Sequence, residues 1–270
     1  MRHHSIPTIL GIATITVGLV AGVLLVEQNQ FVTSQANQIS QPQNVRVSNV
    51  TDTEFTVSWS TTEKTISGVR WGENRNVIRN INTESELAYT HSITIENLTP
   101  STTYYFVIMS GGSTFDANGI PWQVKTGPTL PDANTIYTIS GKVVDPSGKA
   151  VKNALVYAVV GGASPLSTTT SVEGNWILSV GNVRTQDLLN HLKINPTTTL
   201  VELNVLAPQT PATSAKFYLS TATYGHTIVL GQTNNFTSEQ SPTYIPIPTA
   251  GIAIPETDNS TTGFGELIGN

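Results

Sequence analysis

The sequence contains no cysteine and few charged residues. Without cysteine there can be no disulfide, no thiolate metal ligand and no cysteine nucleophile, and the redox compartment of the protein stays unconstrained. Charged residues make up 11% of the chain, compared with about 25% in an average globular protein. Threonine, serine, asparagine and glutamine must therefore supply most of the polar surface. The net charge of −5 comes with no basic cluster after residue 30, which argues against nucleic acid as a partner.

Familiar catalytic patterns are also missing. The chain has no GxSxG nucleophile elbow, no HExxH zinc motif and no phosphate-binding glycine loop. No pair of carboxylates is placed with a histidine in a way that suggests catalytic groups. We therefore expect a protein that is not an enzyme, with no catalytic, metal-binding or cofactor-binding residues and no cofactor. The sequence leaves its ligand-binding residues unknown.

One long apolar run is present, and it lies near the N-terminus. Residues 6–26, IPTILGIATITVGLVAGVLLV, contain no charge, and roughly 20 apolar residues are what an α-helix needs to cross a bilayer. Arg2 precedes the run and Glu27 follows it, which favours a cytoplasmic N-terminus with the remainder outside. This predicts a single-pass protein of the cell membrane. Its parts are a cytoplasmic segment 1–5, a transmembrane helix or signal-anchor 6–26 in contact with membrane lipid, and a stalk 27–41.

Three fates of this N-terminal segment are open. Its length favours an uncleaved anchor, because a cleavable signal has an apolar core of roughly 7–15 residues. Cleavage after Ala36, in the sequence Ser34-Gln35-Ala36, would instead give a secreted protein. The third alternative is a pilus-like filament with the apolar helix in its centre. A pilin normally keeps a glutamate near the start of that helix, and residues 6–26 contain no acidic residue.

Residues 42–127 have the pattern of an antiparallel β-sandwich. Apolar and polar residues alternate in EFTVSWS, SGVRWG, HSITIENL and TYYFVIM, and this period of two turns one face of each strand towards a core. The stretch LTPSTTYYFVI, residues 98–108, matches the L-x-P-x-T-x-Y-x-V-x-V signature of fibronectin type III domains, which this region resembles. The resemblance implies that Trp59 is the buried tryptophan of the second strand. It also implies that Tyr104 forms a tyrosine corner, with its hydroxyl bonded to nearby backbone.

Two other functions of this region can be weighed. A domain of this kind also precedes the catalytic domain of purple acid phosphatases, but such an enzyme needs clustered Asp, Asn and His ligands. The sequence after residue 127 supplies no such cluster. Trp71 and Trp122 could stack on sugars, although their alternating strand positions favour packing in the core.

A second domain, residues 136–249, follows a linker at 128–135 that Pro128 and Pro131 stiffen. It begins with ISGKVVDPSGKAVKNALV, residues 139–156, in which a turn requires positive φ at Gly148. Together with TSVEGNW at 170–176, this stretch resembles the hallmark of carboxypeptidase regulatory-like domains, I-x-G-x-V-x-D-x-x-G-x-x-V-x-x-A-x-V followed by T-x-x-x-G-x-[FWY]. The resemblance implies a transthyretin-like β-sandwich without catalytic activity.

Further along this domain, residues 185–193, TQDLLNHLK, predict a short helix that covers one end of the sandwich. We expect His191 and His226 to lie at the surface or in turns. None of the five histidines has the H-x-x-E spacing that the zinc domain of a carboxypeptidase carries.

A covalent crosslink is a further alternative for the second domain. Some surface-protein domains join a lysine to an asparagine through an isopeptide bond beside a buried carboxylate. Lys142, Asn234 and Glu202 are the residues that could form such a set, although their spacing is not diagnostic.

These patterns predict a mainly β protein with two tandem antiparallel β-sandwiches behind an N-terminal transmembrane helix. The first sandwich is fibronectin type III-like, the second is carboxypeptidase regulatory-like, and a disordered tail covers residues 250–270. We expect a non-catalytic, membrane-anchored cell-surface protein with a structural, adhesive or spacer role. A carbohydrate- or peptide-binding surface module and a subunit of a pilus-like filament stay open as alternatives. Besides membrane lipid, the candidate partners are cell-wall glycans, surface proteins and further copies of the chain.

Overall fold

The computed structural model describes residues 38–133 and 137–239, which fold into two β-sandwiches with almost no helix. The mainly β class that the sequence predicts is therefore confirmed. The predicted membrane segment 6–26 and the predicted tail 250–270 lie outside the described residues. Among the residues that are described, no helix has the length and apolar character needed to cross a membrane.

The first sandwich consists of two antiparallel sheets. Its strands are β1 Gln43–Ser48, β2 Phe55–Thr65, β3 Ser67–Gly72, β4 Asn80–Thr83, β5 Ala88–Ile95, β6 Thr103–Ser110, β7 Ser113–Phe115 and β8 Trp122–Lys125. One sheet has the order β1-β2-β5, and the other has the order β4-β3-β6, with β7 and β8 both paired to β6. The chain changes sheet between β2 and β3 and again on either side of β5. The apolar faces of the two sheets meet in one core.

The core of the first sandwich is built from the alternating residues that the sequence turns inward. Its buried members are Phe55, Val57, Trp59, Val69, Ile93, Ile95, Leu98, Tyr104, Phe106 and Ile108. Trp59 is fully buried on β2, as the resemblance to fibronectin type III domains implies. Trp71 and Trp122 pack against this core, and the ring of Trp122 stacks on Phe106 with centroids 5.6 Å apart.

Tyr104 forms the predicted tyrosine corner. Its hydroxyl accepts a hydrogen bond from the backbone N–H of Thr99 at 2.8 Å and donates one to the carboxylate of Glu73 at 3.3 Å. The ring itself is buried and contacts Trp71 edge-on, with centroids 5.7 Å apart. Through these contacts, Tyr104 connects the turn between β5 and β6 to the core.

The second sandwich also has two sheets. Its strands are β9 Thr138–Val144, β10 Leu155–Val160, β11 Leu166–Thr169, β12 Asn175–Ser179, β13 Leu200–Leu206, β14 Thr213–Tyr218, β15 His226–Val229 and β16 Asn234–Asn235. A five-stranded sheet has the order β11-β10-β13-β14-β16, and a three-stranded sheet has the order β12-β9-β15. Their shared core includes Ile139, Val156, Trp176, Leu203 and Phe217.

This second sandwich departs from the purely antiparallel arrangement that the sequence predicts. Strand β15 is parallel to β9, and β16 is parallel to β14. A 3₁₀ helix, Leu219–Tyr224, carries the chain from β14 in one sheet to β15 in the other. Because this connection crosses between sheets instead of forming a tight hairpin, the next strand can enter parallel to its neighbour.

The two turns of the carboxypeptidase regulatory-like stretch need glycine. Gly148 has φ of 84° and Gly174 has φ of 77°, a left-handed conformation that other residues adopt at a cost. At Gly174 a Cβ atom would also collide with the carbonyl oxygen of Val143. The first turn is held by Asp145, whose carboxylate accepts hydrogen bonds from Ser147 and Lys149. The hydroxyl of Ser147 and these backbone N–H groups lower the pKa of Asp145.

The helix predicted over residues 185–193 is wrong. This segment is a compact loop, in which the N–H of Thr185 donates to the carbonyl of Asn190 at 2.9 Å. The carboxylate of Asp187 accepts hydrogen bonds from the Thr185 hydroxyl and, at 3.0 Å, from the N–H of Leu189. Such local bonds between side chains and backbone compete with helical hydrogen bonds. The leucine spacing alone could not reveal this competition.

His226 lies in the core, so its predicted position at the surface or in a turn is also wrong. Its side chain on β15 is packed between Phe217 and Phe236, with ring centroids 4.7 and 4.4 Å away. Nδ1 lies 3.3 Å from the carboxylate of Glu239. Burial lowers the pKa of His226, and the nearby negative charge of Glu239 partly opposes this effect. His191, in contrast, lies in the loop, half-buried.

The tyrosine corner gives a first testable prediction. We expect Tyr104→Phe to lower the free energy of unfolding by about 1–2 kcal/mol, because the N–H of Thr99 would lose its acceptor. Denaturant unfolding followed by tryptophan fluorescence measures this loss. Tyr105→Phe is the matched control, since within the described residues the hydroxyl of this neighbouring, half-buried tyrosine forms no hydrogen bond. Equal losses in the two variants would contradict the role of Tyr104.

The buried histidine predicts a pH dependence. Because the pKa of His226 is lowered in the folded state, protons bind the unfolded chain more readily, with a pKa of about 6.5. Its contribution to stability is therefore complete above about pH 6.5 and is lost as the pH falls through that value towards the lowered pKa. We expect the unfolding free energy of the native chain to fall more steeply than that of His226→Phe as the pH drops from 8 to 5. His191→Gln should follow the native profile, and a parallel profile for His226→Phe would contradict the prediction.

Candidate functional site at the junction of the sandwiches

The two sandwiches belong to one compact unit and meet along a hydrogen-bonded junction. The hydroxyls of Ser48 and Ser167 are 2.6 Å apart, and the hydroxyl of Ser58 is 2.8 Å from that of Tyr157. Ser48 and Ser58 lie on the faces of β1 and β2 that point away from the core of the first sandwich. Both are nevertheless fully buried, because the second sandwich covers them.

The side chain of Asn49 forms hydrogen bonds with both backbone groups of one residue of β11, Ser167. Its amide nitrogen donates to the carbonyl of Ser167 at 3.0 Å, and its amide oxygen accepts from the N–H of Ser167 at 2.8 Å. The N–H of Asn49 also donates to the carbonyl of Pro165 at 2.9 Å. The backbone of Asn49 itself is left-handed, with φ of 52°. Asparagine tolerates this conformation better than most residues do. The side chain thus occupies the place of a neighbouring strand.

Arg184 joins the second sandwich to the first sandwich and to the linker. Its guanidinium donates to the carboxylate of Asp52 at 2.8 Å and to the carbonyl of Pro128 at 2.6 Å. The Arg184 side chain is only 6% exposed, and a buried charge is tolerated when it is paired and hydrogen-bonded in this way. His191 adds a second contact to the linker, with Nε2 2.9 Å from the carbonyl oxygen of Pro131.

A small apolar cluster completes the junction. Leu155, Tyr157 and Leu206 are buried on the outward side of the five-stranded sheet, separate from the main core of the second sandwich. The guanidinium of Arg46 lies over the Tyr157 ring, 4.3 Å from its centroid. Burial raises the pKa of Tyr157, so its hydroxyl stays protonated and can donate to Ser58.

Two clefts are lined by residues of this junction. One of about 540 Å³ lies between β1 and the strands β10 and β13, and its walls include Arg46, Glu202 and Asn204. Another of about 440 Å³ contains Glu54 and Arg184. Burial raises the pKa of Glu54, and the nearby carboxylates of Glu96 and Asp52 raise it further. Ligand sites in proteins commonly have volumes of about 300–1,000 Å³, so both clefts have the size of a small-molecule site.

His91 forms a buried polar network that the sequence does not predict. Its Nδ1 is 2.7 Å from the carboxylate of Glu84, and its Nε2 is 3.2 Å from the hydroxyls of Thr61 and Thr65. The order carboxylate, imidazole, hydroxyl is that of a relay that activates a nucleophile. Here both hydroxyls are buried and engaged elsewhere, Thr61 with the carbonyl of Glu63 at 2.7 Å. The network therefore links β2 and β5 inside the fold.

The isopeptide alternative is not supported by the positions of its residues. Glu202 is exposed on β13, so the buried carboxylate that the crosslink needs is missing. Lys142 lies on β9, in the other sheet. The amide of Asn234 instead bonds both backbone groups of Val229. Within the described residues, no group of three or more His, Asp or Glu side chains could hold a metal ion.

The residues that form the junction are not predicted by the sequence. Asn49, Arg184 and Asp52 lie in loops or at strand ends, where alternation carries no information. Ser48 and Ser58 occupy polar positions that the same alternation assigns to solvent. Only their side-chain partners in the other sandwich identify them, and those partners are about a hundred residues away in sequence.

Comparison with known proteins gives one family match. Residues 42–125 match the N-terminal domain of purple acid phosphatase. The match covers the first sandwich and under a third of the chain, and it leaves the second sandwich unassigned. No curated protein matches the chain.

Fibronectin type III-like β-sandwiches are among the solved structures that resemble parts of the chain. A two-domain fibronectin type III segment from chicken tenascin is 13% identical over 66% of this chain and 98% of that one, with a TM-score of 0.22. The sensor domain of the anti-sigma factor RsgI4 from Pseudobacteroides cellulosolvens is 21% identical over 36% and 98%, with a TM-score of 0.27. PhoD is 11% identical over 37% of this chain, with a TM-score of 0.27, and the match spans only 21% of the PhoD chain. Likeness at this level carries no functional conclusion.

The junction predicts that Asn49 couples the sandwiches. We expect Asn49→Ala to lower the free energy of unfolding by about 1–3 kcal/mol, because both backbone groups of Ser167 would lose their partner. Hydrogen exchange measured by mass spectrometry should also become faster in peptides that contain β11. Asn97→Ala is the matched control, since Asn97 is an exposed, left-handed asparagine with φ of 60° and no described side-chain hydrogen bond. Unchanged exchange in β11 would show that Asn49 does not hold the junction.

Proposed function

We propose that this chain is a non-catalytic, membrane-anchored cell-surface protein in which two β-sandwiches form one stiff structural or spacer body. The apolar segment 6–26 would serve as the anchor, and the residues after it would lie outside the cell. The observation that carries the proposal is the junction of the sandwiches. Asn49 binds β11, and Arg184 binds both Asp52 and the linker, so the two sandwiches are connected at more than the linker itself.

A stiff body suits a spacer for a physical reason. Two domains joined by a linker alone sample many orientations, and the distance from the membrane to the far end then varies. The hydrogen bonds of Ser48, Ser58 and Asn49 reach the second sandwich from β1, β2 and the turn after β1, which restricts rotation about more than one axis. This arrangement supports a structural role more directly than a catalytic one.

The second sandwich is proposed to be of the carboxypeptidase regulatory-like type. Support comes from the hallmark residues, which take structural positions. Gly148 and Gly174 form left-handed turns, and Trp176 is buried in the core. The hydroxyl of Thr170 accepts from the N–H of Ala154 at 2.8 Å and donates to a carbonyl at 2.6 Å. The likeness of residues 42–125 to the phosphatase N-terminal domain concerns the first sandwich alone and supports no phosphatase activity in this chain.

Carbohydrate or peptide binding is a second candidate function. The cleft between β1 and β13 carries a guanidinium on Arg46 and a carboxylate on Glu202, and within the described residues neither forms an ion pair. Asn204 adds an amide to the same cleft. Such planar polar groups are suited to recognising hydroxyls or backbone amides. A glycan and peptide array probed with the purified chain tests this candidate, and Arg46→Ala should remove any saturable signal.

Cell fractionation tests the anchor. We expect the native chain to stay in the membrane fraction with Met1 as its first residue, and external protease to digest both sandwiches in intact cells. Replacing both Leu19 and Val20 by Arg should release the chain from membranes, because charges at the centre of a helix oppose insertion. A soluble chain that begins at Asn37 would contradict anchoring and support secretion.

Spin-label distance measurements test the stiffness. The chain has no cysteine, so Ile120→Cys and Val172→Cys would introduce the only two labelling sites, one on each sandwich. Both native side chains are exposed, at 51% and 60%. We expect one narrow distance distribution, and Asn49→Ala should broaden it. A broad distribution in the otherwise native chain would contradict a stiff body.

A further inference from the structure

The first sandwich has exposed apolar side chains at the end where the described chain begins. They belong to Ile39, Ile66 and Leu87, which are 45%, 54% and 61% exposed. These residues lie in three separate segments, namely the residues before β1, the connection between β2 and β3, and the residues before β5. We call Ile39, Ile66 and Leu87 the entry cluster.

Contacts between neighbouring residues bring the members of the entry cluster to one end. A Cβ atom on Gly111 would lie 2.6 Å from the side chain of Ser40 and 3.6 Å from that of Thr65. The N–H of Gly111 donates to the carbonyl of Ile66 at 3.4 Å. Thr65 is also paired with the first residue of β5, which directly follows Leu87. The three apolar side chains therefore surround the same end of the sandwich.

The opposite end of the first sandwich has a different character. Strand β2 contains 11 residues, and a strand of that length separates the two ends by roughly 35 Å. The far end contains Asp52 and the start of the linker, both bonded to Arg184. Leu189, in the loop after Arg184, is 55% exposed there. Exposed apolar residues that occur singly need no explanation, whereas a group around one end indicates a contact surface.

The predicted membrane segment ends close to the entry cluster in sequence. Eleven residues, 27–37, separate Val26 from the first described residue, Gln38. A chain of this length reaches at most about 40 Å even when it is fully extended. If residues 6–26 span the bilayer, the entry cluster therefore stays within that distance of lipid. A short tether raises the effective concentration of the two surfaces to about the millimolar range, so weak contacts suffice.

The residues beside the entry cluster suit a lipid surface without net charge. The ammonium of Lys64 lies 5.7 Å from the ring centroid of Tyr89, which is half-buried. Tyrosine favours the headgroup level of a bilayer, and lysine can keep its ammonium in water above an apolar contact. Glu63 and Glu86 are exposed at the same end. Two exposed carboxylates and one ammonium disfavour an anionic membrane surface.

We propose that the entry cluster docks on the bilayer that holds residues 6–26, with Ile39, Ile66 and Leu87 among zwitterionic headgroups. Docking removes these three side chains from water. The membrane is favoured over a second copy of the chain, because the tether holds each chain next to lipid at any protein concentration. The proposal rests on the anchor of the proposed function and adds an orientation to it. The end that contains Asp52 and the linker then points away from the membrane.

Spin-label accessibility tests the docking. The full chain, which lacks cysteine, is reconstituted in phosphatidylcholine liposomes with one label at Ile66→Cys, Leu87→Cys or Leu189→Cys. Collision with a water-soluble nickel chelate should be at least roughly threefold less frequent at positions 66 and 87 than at 189, because the lipid interface shields the label. Leu189 is the matched control, since it is an exposed leucine at the far end. Equal accessibility at the three positions would overturn the proposal.

Flotation of the same liposomes separates the docking from the anchor. We expect the chain to float with lipid in all three labelled forms. If it floats while positions 66 and 87 are as accessible as 189, the anchor stands and the docking is wrong. A chain that stays at the bottom of the gradient contradicts both the anchor and the docking.

Serine substitutions test whether the apolar side chains form the contact. With the label at Ile39→Cys, the double change Ile66→Ser and Leu87→Ser should raise chelate accessibility to the level of position 189, because two apolar groups are lost. Leu189→Ser should leave the label at position 39 protected. All of these side chains are exposed, so circular dichroism should show an unchanged fold. Protection that persists in the double variant would overturn the proposal.

Lipid charge tests the choice of a zwitterionic surface. Adding anionic phosphatidylglycerol to the liposomes should raise chelate accessibility at position 66, because Glu63 and Glu86 are repelled by it. High salt should reverse this increase, since salt screens the repulsion. Stronger protection in phosphatidylglycerol would contradict docking through the entry cluster on a zwitterionic surface.

Discussion

The backbone groups of outer strands must be paired or hydrated, and the amide of Asn49 shows how this protein meets that requirement. One side chain satisfies the N–H and the C=O of Ser167, which a missing neighbour strand would otherwise have paired. Because Asn49 belongs to the first sandwich and Ser167 to the second, the same two bonds close an edge and join two domains. The stiffness proposed for the two-sandwich body depends on this contact more than on the linker.

The low charge content of the chain is consistent with the chemistry of its junction. Hydroxyl pairs such as Ser48–Ser167 and Ser58–Tyr157 can be buried without the large cost of desolvating ions. Arg184 and Asp52 form the ion pair of the junction, and the arginine is also bonded to a backbone carbonyl. Serine and threonine on the outward faces of strands therefore do more than keep the protein soluble. They form an interface that stays compatible with water until the sandwiches meet.

Sequence alternation predicts much of the fold because it records which side of a strand faces a core. Tyr104 and Trp59 take their predicted places because their local patterns are specific. The junction could not be predicted, since alternation does not say what the polar side of a strand contacts. The prediction of a helix at 185–193 is wrong for a different reason. Asp187 accepts hydrogen bonds from the N–H of Leu189 and the hydroxyl of Thr185, and these bonds stabilise a loop. Burial of His226 depended on aromatic partners at positions 217 and 236, which the pattern of its own strand does not show.

The first sandwich can also be regarded as a cover for the second. Strands β11 and β12 follow each other in sequence and are both outer strands, one in each sheet of the second sandwich. The first sandwich closes β11 through Asn49. If the second sandwich were alone, β11 would lose this closure and the apolar cluster around Tyr157 would be exposed. The first sandwich therefore completes the fold of the second, because it pairs Ser167 on β11 and covers the cluster around Tyr157.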